Sequence, residues 1–110
     1  MEEGIRKWDL KDQIVEQVCR INGITFNEDG ELVDKTGCPM DYRDCESVDF
    51  EDLGIDYGDD EKIIAVYLWG DCCLELNVYD GNPLDYGESY NWGNFSNEVL
   101  EQVLELLKRL

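Results

Sequence analysis

Carboxylates are the chemistry this chain offers in quantity. The stretch "DYRDCESVDFEDLGIDYGDDE", residues 41–61, holds Asp41, Asp44, Glu46, Asp49, Glu51, Asp52, Asp56, Asp59, Asp60 and Glu61 against one base, Arg43. Acids at that density can wrap a hard cation, pair for acid–base hydrolysis, or face a basic macromolecular surface. Spacing separates the three.

An EF-hand loop needs oxygen ligands at its first, third and fifth positions, Gly at the sixth and Glu at the twelfth. Aligned on Gly30, Asn27 and Asp29 fit, but Thr25 and Thr36 occupy the outer positions. Aligned on Gly58, those positions are Leu53 and Ile64. Both alignments fail. A looser site, with Asp56, Asp59, Asp60 and Glu61 converging on calcium and ordering the 54–61 loop, stands as an alternative reading.

The chain has no histidine, and its five cysteines (Cys19, Cys38, Cys45, Cys72, Cys73) form no Cys-x-x-Cys knuckle. Buried structural thiols are the simpler reading, so neither metal nor cofactor is expected. The lack of histidine also removes the commonest general base, and 27 acids offer too many pairs to single one out. No phosphate-cradling glycine motif or nucleophile elbow appears. The chain therefore reads as a non-enzyme.

"EDLGIDY", residues 51–57, resembles the Asp-Leu-Gly-x-Asp-Ser stretch of acyl carrier proteins. Tyr57 stands where the carrier serine belongs, and "KIIAVYLW" follows as a strand instead of a helix. The resemblance is set aside.

A second candidate is the aromatic stretch "LDYGESYNWGNF", with Tyr86, Tyr90, Trp92 and Phe95. Tyr and Trp concentrate at binding hot spots. Equally, alternating Tyr90 and Trp92 could line the inward face of a strand, leaving Tyr86 beside Asp85 as the exposed ring.

The net charge of −18 on 110 residues is uneven: −4 over residues 1–40, −9 over 41–61 and −5 over 62–110. Such a surface repels nucleic acid and anionic membranes and attracts basic proteins. Solubility asks for far less charge. An odd cysteine count, with no signal-like segment or long apolar run, points to the reducing cytosol.

The elements that must carry these groups read as one domain, residues 1–110, with 41–61 as an acidic segment inside it. A helix is expected from Asp9, as its cap, to Ile21, closed by Asn22-Gly23. A hairpin follows, Ile24–Phe26 with Glu31–Val33 around Asn27–Gly30. Ser47 reads as the cap of a short helix with Phe50 and Leu53 inward, ended by Gly54. "KIIAVYLWGDCCLELNVY" reads as two strands joined at Gly70-Asp71, pairing Trp69 with Cys72, Tyr67 with Leu74, Ala65 with Leu76 and Ile63 with Val78. The first strand is apolar on both faces and should be central. "ESYNW" adds a third strand. A helix from Ser96 to Leu110 carries the stripe Val99, Leu100, Val103, Leu104, Leu107 and Leu110.

The expected class is α+β: an antiparallel sheet of N-terminal hairpin plus three-strand meander, with both terminal helices on one face. The favoured function is an acidic binding protein that meets a basic, nucleic-acid-binding protein surface as an inhibitor or nucleic-acid mimic. Small acidic inhibitors that phages and mobile elements carry against restriction or CRISPR nucleases work in this way. The acids of 41–61 would supply charge, with Tyr57, Tyr86 and Trp92 supplying contact. A further alternative is an acidic structural subunit that binds through the aromatic stretch.

Overall fold

The computed structural model describes residues 2–50, 55–81 and 87–110. Glu51, Asp52, Leu53, Gly54 and Tyr86 lie outside the described residues. Along the described chain run helix α1 (Glu2–Asn22) and strands β1 (Thr25–Phe26), β2 (Leu32–Val33), β3 (Cys45–Asp49) and β4 (Ile55–Asp56). Strands β5 (Lys62–Trp69), β6 (Leu74–Tyr79) and β7 (Glu88–Asn91) follow, then a 3-10 turn (Trp92–Asn94) and helix α2 (Asn97–Arg109). Two terminal helices with antiparallel sheets make the fold α+β, as the patterning implies.

Helix α1 begins at Glu2, so Asp9 is not its cap. Tertiary contacts hold the added turns: Arg6 pairs with Glu101, Lys7 Nζ donates to the Gly93 carbonyl (2.9 Å), and Trp8 meets Trp92. Asp9 instead accepts from Gln13 Nε2 one turn on (2.9 Å). The helix ends where expected. Gly23 adopts φ +70°, which lets the Ile24 N–H reach back to the Cys19 carbonyl (2.8 Å), a Schellman closure. Asn22 Nδ2 then donates to the Val18 carbonyl (3.1 Å) and to that of Ser47 in β3 (3.4 Å), tying the helix end to the acidic segment.

The β1–β2 hairpin forms, with Asn27 Oδ1 accepting from the N–H groups of Asp29 (3.0 Å) and Glu31 (2.9 Å). It is a separate two-stranded sheet and does not join the meander as expected. The larger sheet has the order β3-β5-β6-β7, and β4 shares with β3 one side of β5. Ser47 caps no helix. It lies in β3, because pairing Cys45–Asp49 against Trp69–Ala65 satisfies the backbone and buries Val48 beside Val66.

β5 is central, but its register with β6 differs from the expectation. The loop holds three residues, Gly70–Cys72, and Cys72 takes the left-handed position (φ +67°) that closes a bulged hairpin. Tyr67 therefore faces Glu75, Val66 faces Leu76 and Leu68 faces Leu74. A bulge between Ile63 and Ala65 then restores the one expected pair, Ile63 with Val78. One extra loop residue swaps the faces, so Val66 and Leu68 enter the core while Tyr67 and Trp69 leave it.

Ile14 and Val18 of α1 and Leu100, Val103 and Leu107 of α2 cluster with Val48, Val66, Leu68, Leu74 and Leu76, which places both helices on one sheet face. Ser96 caps α2 by accepting from the Val99 N–H. Leu110 falls past the helix end and is exposed.

Candidate functional site

Edge position organises the acidic segment. Asp41 and Asp44 form a tight turn, with Asp44 N–H donating to the Asp41 carbonyl and Asp44 Oδ2 accepting from the Asp41 N–H (both 2.9 Å). That turn sits on Gly70 of the β5–β6 loop, whose N–H donates to the Asp44 carbonyl (2.9 Å). A Cβ at residue 70 would overlap the Asp41 carbonyl oxygen, so only glycine allows this seat.

From there the chain runs antiparallel along β5 as β3, bonds once more from Phe50 N–H to the Ile64 carbonyl, and resumes as β4. Glu46 and Asp49 lie on the outer strand β3 and Asp56 on β4, before Tyr57–Glu61 turns the chain into β5. The edge spans Trp69 to Lys62 of β5, about 23 Å at strand rise. Eight described carboxylates (Asp41, Asp44, Glu46, Asp49, Asp56, Asp59, Asp60, Glu61) line it and the turns at its ends.

The turn at 57–61 is built, not loose. Tyr57 N–H donates to the Glu61 carbonyl (2.8 Å), with Gly58 and Asp60 both at positive φ. Tyr57 itself is half-buried, its ring 4.9 Å from that of the buried Phe95. It anchors the turn to the core. Among the described residues no group of three or more His, Cys, Asp or Glu side chains is placed to hold a metal ion.

Trp92 lies elsewhere. It follows β7, at the opposite edge of the sheet, with its ring 5.0 Å from that of Trp8 and Lys11 Nζ over both rings (5.6 and 5.9 Å). The structure thus separates Trp92 from the acids of β3, three strand spacings or about 14 Å away.

Sequence reading missed a neighbour of the edge. Beyond Asp56, an open groove of about 760 Å³ has Ile55 and Leu106 among its lining, with Asp56, Glu98, Glu101 and Glu105 around them and Arg109 alongside. The signal was present: Glu98, Glu101 and Glu105 recur at three- and four-residue spacing, one face of a helix. Their proximity to Asp56 is tertiary. Glu101 is partly spoken for by Arg6, and Glu105 lies 3.7 Å from Lys108.

All five cysteines are free thiols, but only Cys19 is buried as expected: Cys38 is exposed, and Cys45, Cys72 and Cys73 are half-buried. Burial, then the neighbouring Cys72, pushes Cys19 up to about 11. Burial and acidic neighbours also raise Cys45 (Glu75, Glu46) and Cys73 (Asp71, Glu75). These thiols stay protonated near neutrality and are poor nucleophiles. No described helix is long and apolar enough to cross a membrane. Comparison of the chain with known protein families, curated proteins and solved structures finds no match.

Proposed function

We propose that this chain is a non-enzymatic, cytoplasmic binding protein whose acidic sheet edge engages the basic groove of a nucleic-acid-binding protein, as an inhibitor that substitutes for nucleic acid. One observation carries the reading: Asp41, Asp44, Glu46, Asp49 and Asp56 follow one supported sheet edge, with Asp59, Asp60 and Glu61 in the turn at its end. Three of these carboxylates lie on the track of about 23 Å and five in its end turns, beside about seven phosphates on one strand of B-DNA over the track alone. The groove beside Asp56 extends the same sign of charge onto α2. Charge also guards strand edges from aggregation, but the acids of the end turns and of α2 lie off the strands and suit a basic partner.

The mimic class is that of small phage or mobile-element inhibitors of restriction or CRISPR nucleases, an inference from charge and shape alone. The test is a pull-down with candidate nucleases at low and high salt, with duplex DNA as competitor. The control joins Asp49→Asn, Asp56→Asn, Asp59→Asn and Asp60→Asn. The wild type should retain a nucleic-acid-binding protein at low salt and release it to high salt or DNA. Four exposed charges at a few tenths to one kcal/mol each predict that the variant binds about tenfold to a hundredfold more weakly. Retention indifferent to salt and to the variant rules the reading out.

A further inference from the structure

The sheet edge opposite β3 and β4 is open. β7 pairs with β6 on one side only, and all four of its residues are exposed. Among the described residues no strand lies on its other side. A strand edge in that state offers outward N–H and C=O groups to another strand. It carries one acid, Glu88, whereas Glu46, Asp49 and Asp56 line the far edge.

Apolar surface gathers at the same side. Tyr90 is 39% exposed; Trp92 follows the strand directly and meets Trp8 edge to face, Trp8 itself being 59% exposed, with Ile5 (72%) about one turn nearer the start of α1. Glu88 and Tyr90 share a face, and the Tyr90 hydroxyl donates to Glu88 Oε2 (2.5 Å).

We propose that β7 is a self-association edge, through which two copies of this chain join their sheets about a two-fold axis at Ser89. The choice of a second copy rests on register. A dyad perpendicular to the sheet keeps both helical layers on one side, so directly opposed residues must have the same parity. Centred on Ser89, it sets Glu88 opposite Tyr90 of the second copy, and Ser89 opposite Ser89. The hydroxyl–carboxylate pair already made within one strand can then also form across the dyad, and no two acids of β7 are opposed. The other described edges do not offer this: β3 and β4 carry acids, and β1 and β2 are two residues long.

Charge opposes the pairing, most of it from acids near β7. The two β3 strands of the joined sheet would stand about 34 Å apart, several Debye lengths at physiological salt. Nearer to the dyad stand Glu88 itself, Glu75 opposite Asn91 on β6, and Glu61, whose charge reaches Tyr90. Added salt should therefore strengthen self-association, opposite to its effect on the acidic-edge complex proposed above. The two proposals fail independently.

Sedimentation equilibrium over a range of concentration at low and high salt tests it, with Ser89→Lys, Ser89→Glu and an equimolar mixture of the two. The wild type should dimerise, more tightly in high salt. Each variant should fold as the wild type does by circular dichroism but dimerise roughly fivefold to tenfold more weakly, since like charges meet at the dyad. The mixture should restore the dimer. A wild type that stays monomeric overturns the proposal. So does a dimer that ignores both substitutions, or a mixture that fails to recover.

Discussion

The two edges of the larger sheet are finished in opposite ways. On the β3–β4 side, Glu46, Asp49 and Asp56 line the outer strand, and the turn at its start is locked onto Gly70. On the β7 side there is one acid, four exposed residues and a tryptophan pair just past the strand end. Charge is the ordinary means of keeping an edge unpaired. Here β3 and β4 carry three acids and β7 carries one. The contrast teaches that the acidity is not a general coat: it is placed, and the edge without it is the one left able to pair.

Substitutions at three positions would break or sharpen this contrast. Gly70→Ala should have the largest effect, because the new methyl has only backbone to push against. We expect a loss of about 3 kcal/mol in urea unfolding, with the Asp41–Asp44 turn displaced. An unchanged midpoint would mean that the turn is not seated there. Tyr57→Ala should cost about 2 kcal/mol, since the half-buried ring anchors the acidic turn to Phe95. Tyr57→Phe should be close to neutral in stability and in partner binding. If Tyr57→Phe abolished binding while leaving stability alone, the hydroxyl would be a contact and the anchor account incomplete.

The smallest effect belongs to the open edge. Hydrogen bonding to Glu88, and then its charge, raise Tyr90 above its ordinary value of 10.0. The folded state thus favours the protonated phenol. Its contribution to stability is complete below the unfolded value and is lost as pH rises through the folded one. Glu88→Gln should move the Tyr90 titration back down, read by ultraviolet absorbance of the phenolate. A titration that does not move would show that the pair is not formed in solution.

Much of the frame was legible from local pattern. The α2 stripe, the Gly23 closure, the Asn27 turn, the central position of β5 and a third strand at 88–91 all follow from periods and turn residues that lie within a few positions of one another. The misreadings were non-local. β3 has one buried residue, Val48, among polar neighbours, so it carries no alternation to read, and Ser47 looked like a helix cap. The added turns of α1 depend on Glu101, Gly93 and Trp92, all at least eighty residues distant. Trp92 was grouped with the acids because nothing local says which edge a strand will take.

By itself the sequence determined how much charge there is, which segment holds it, and which stretches are helix or hairpin. Those properties depend on composition and on short-range geometry. Only the tertiary structure decided that the acids form an edge, that Tyr57 is an anchor, that the α2 acids adjoin Asp56, and that β7 is left open. Strand order and register are settled by pairing between distant segments. In β5 and β6 one left-handed residue, Cys72, and one bulge at Ile64 were enough to change which side chains face the core.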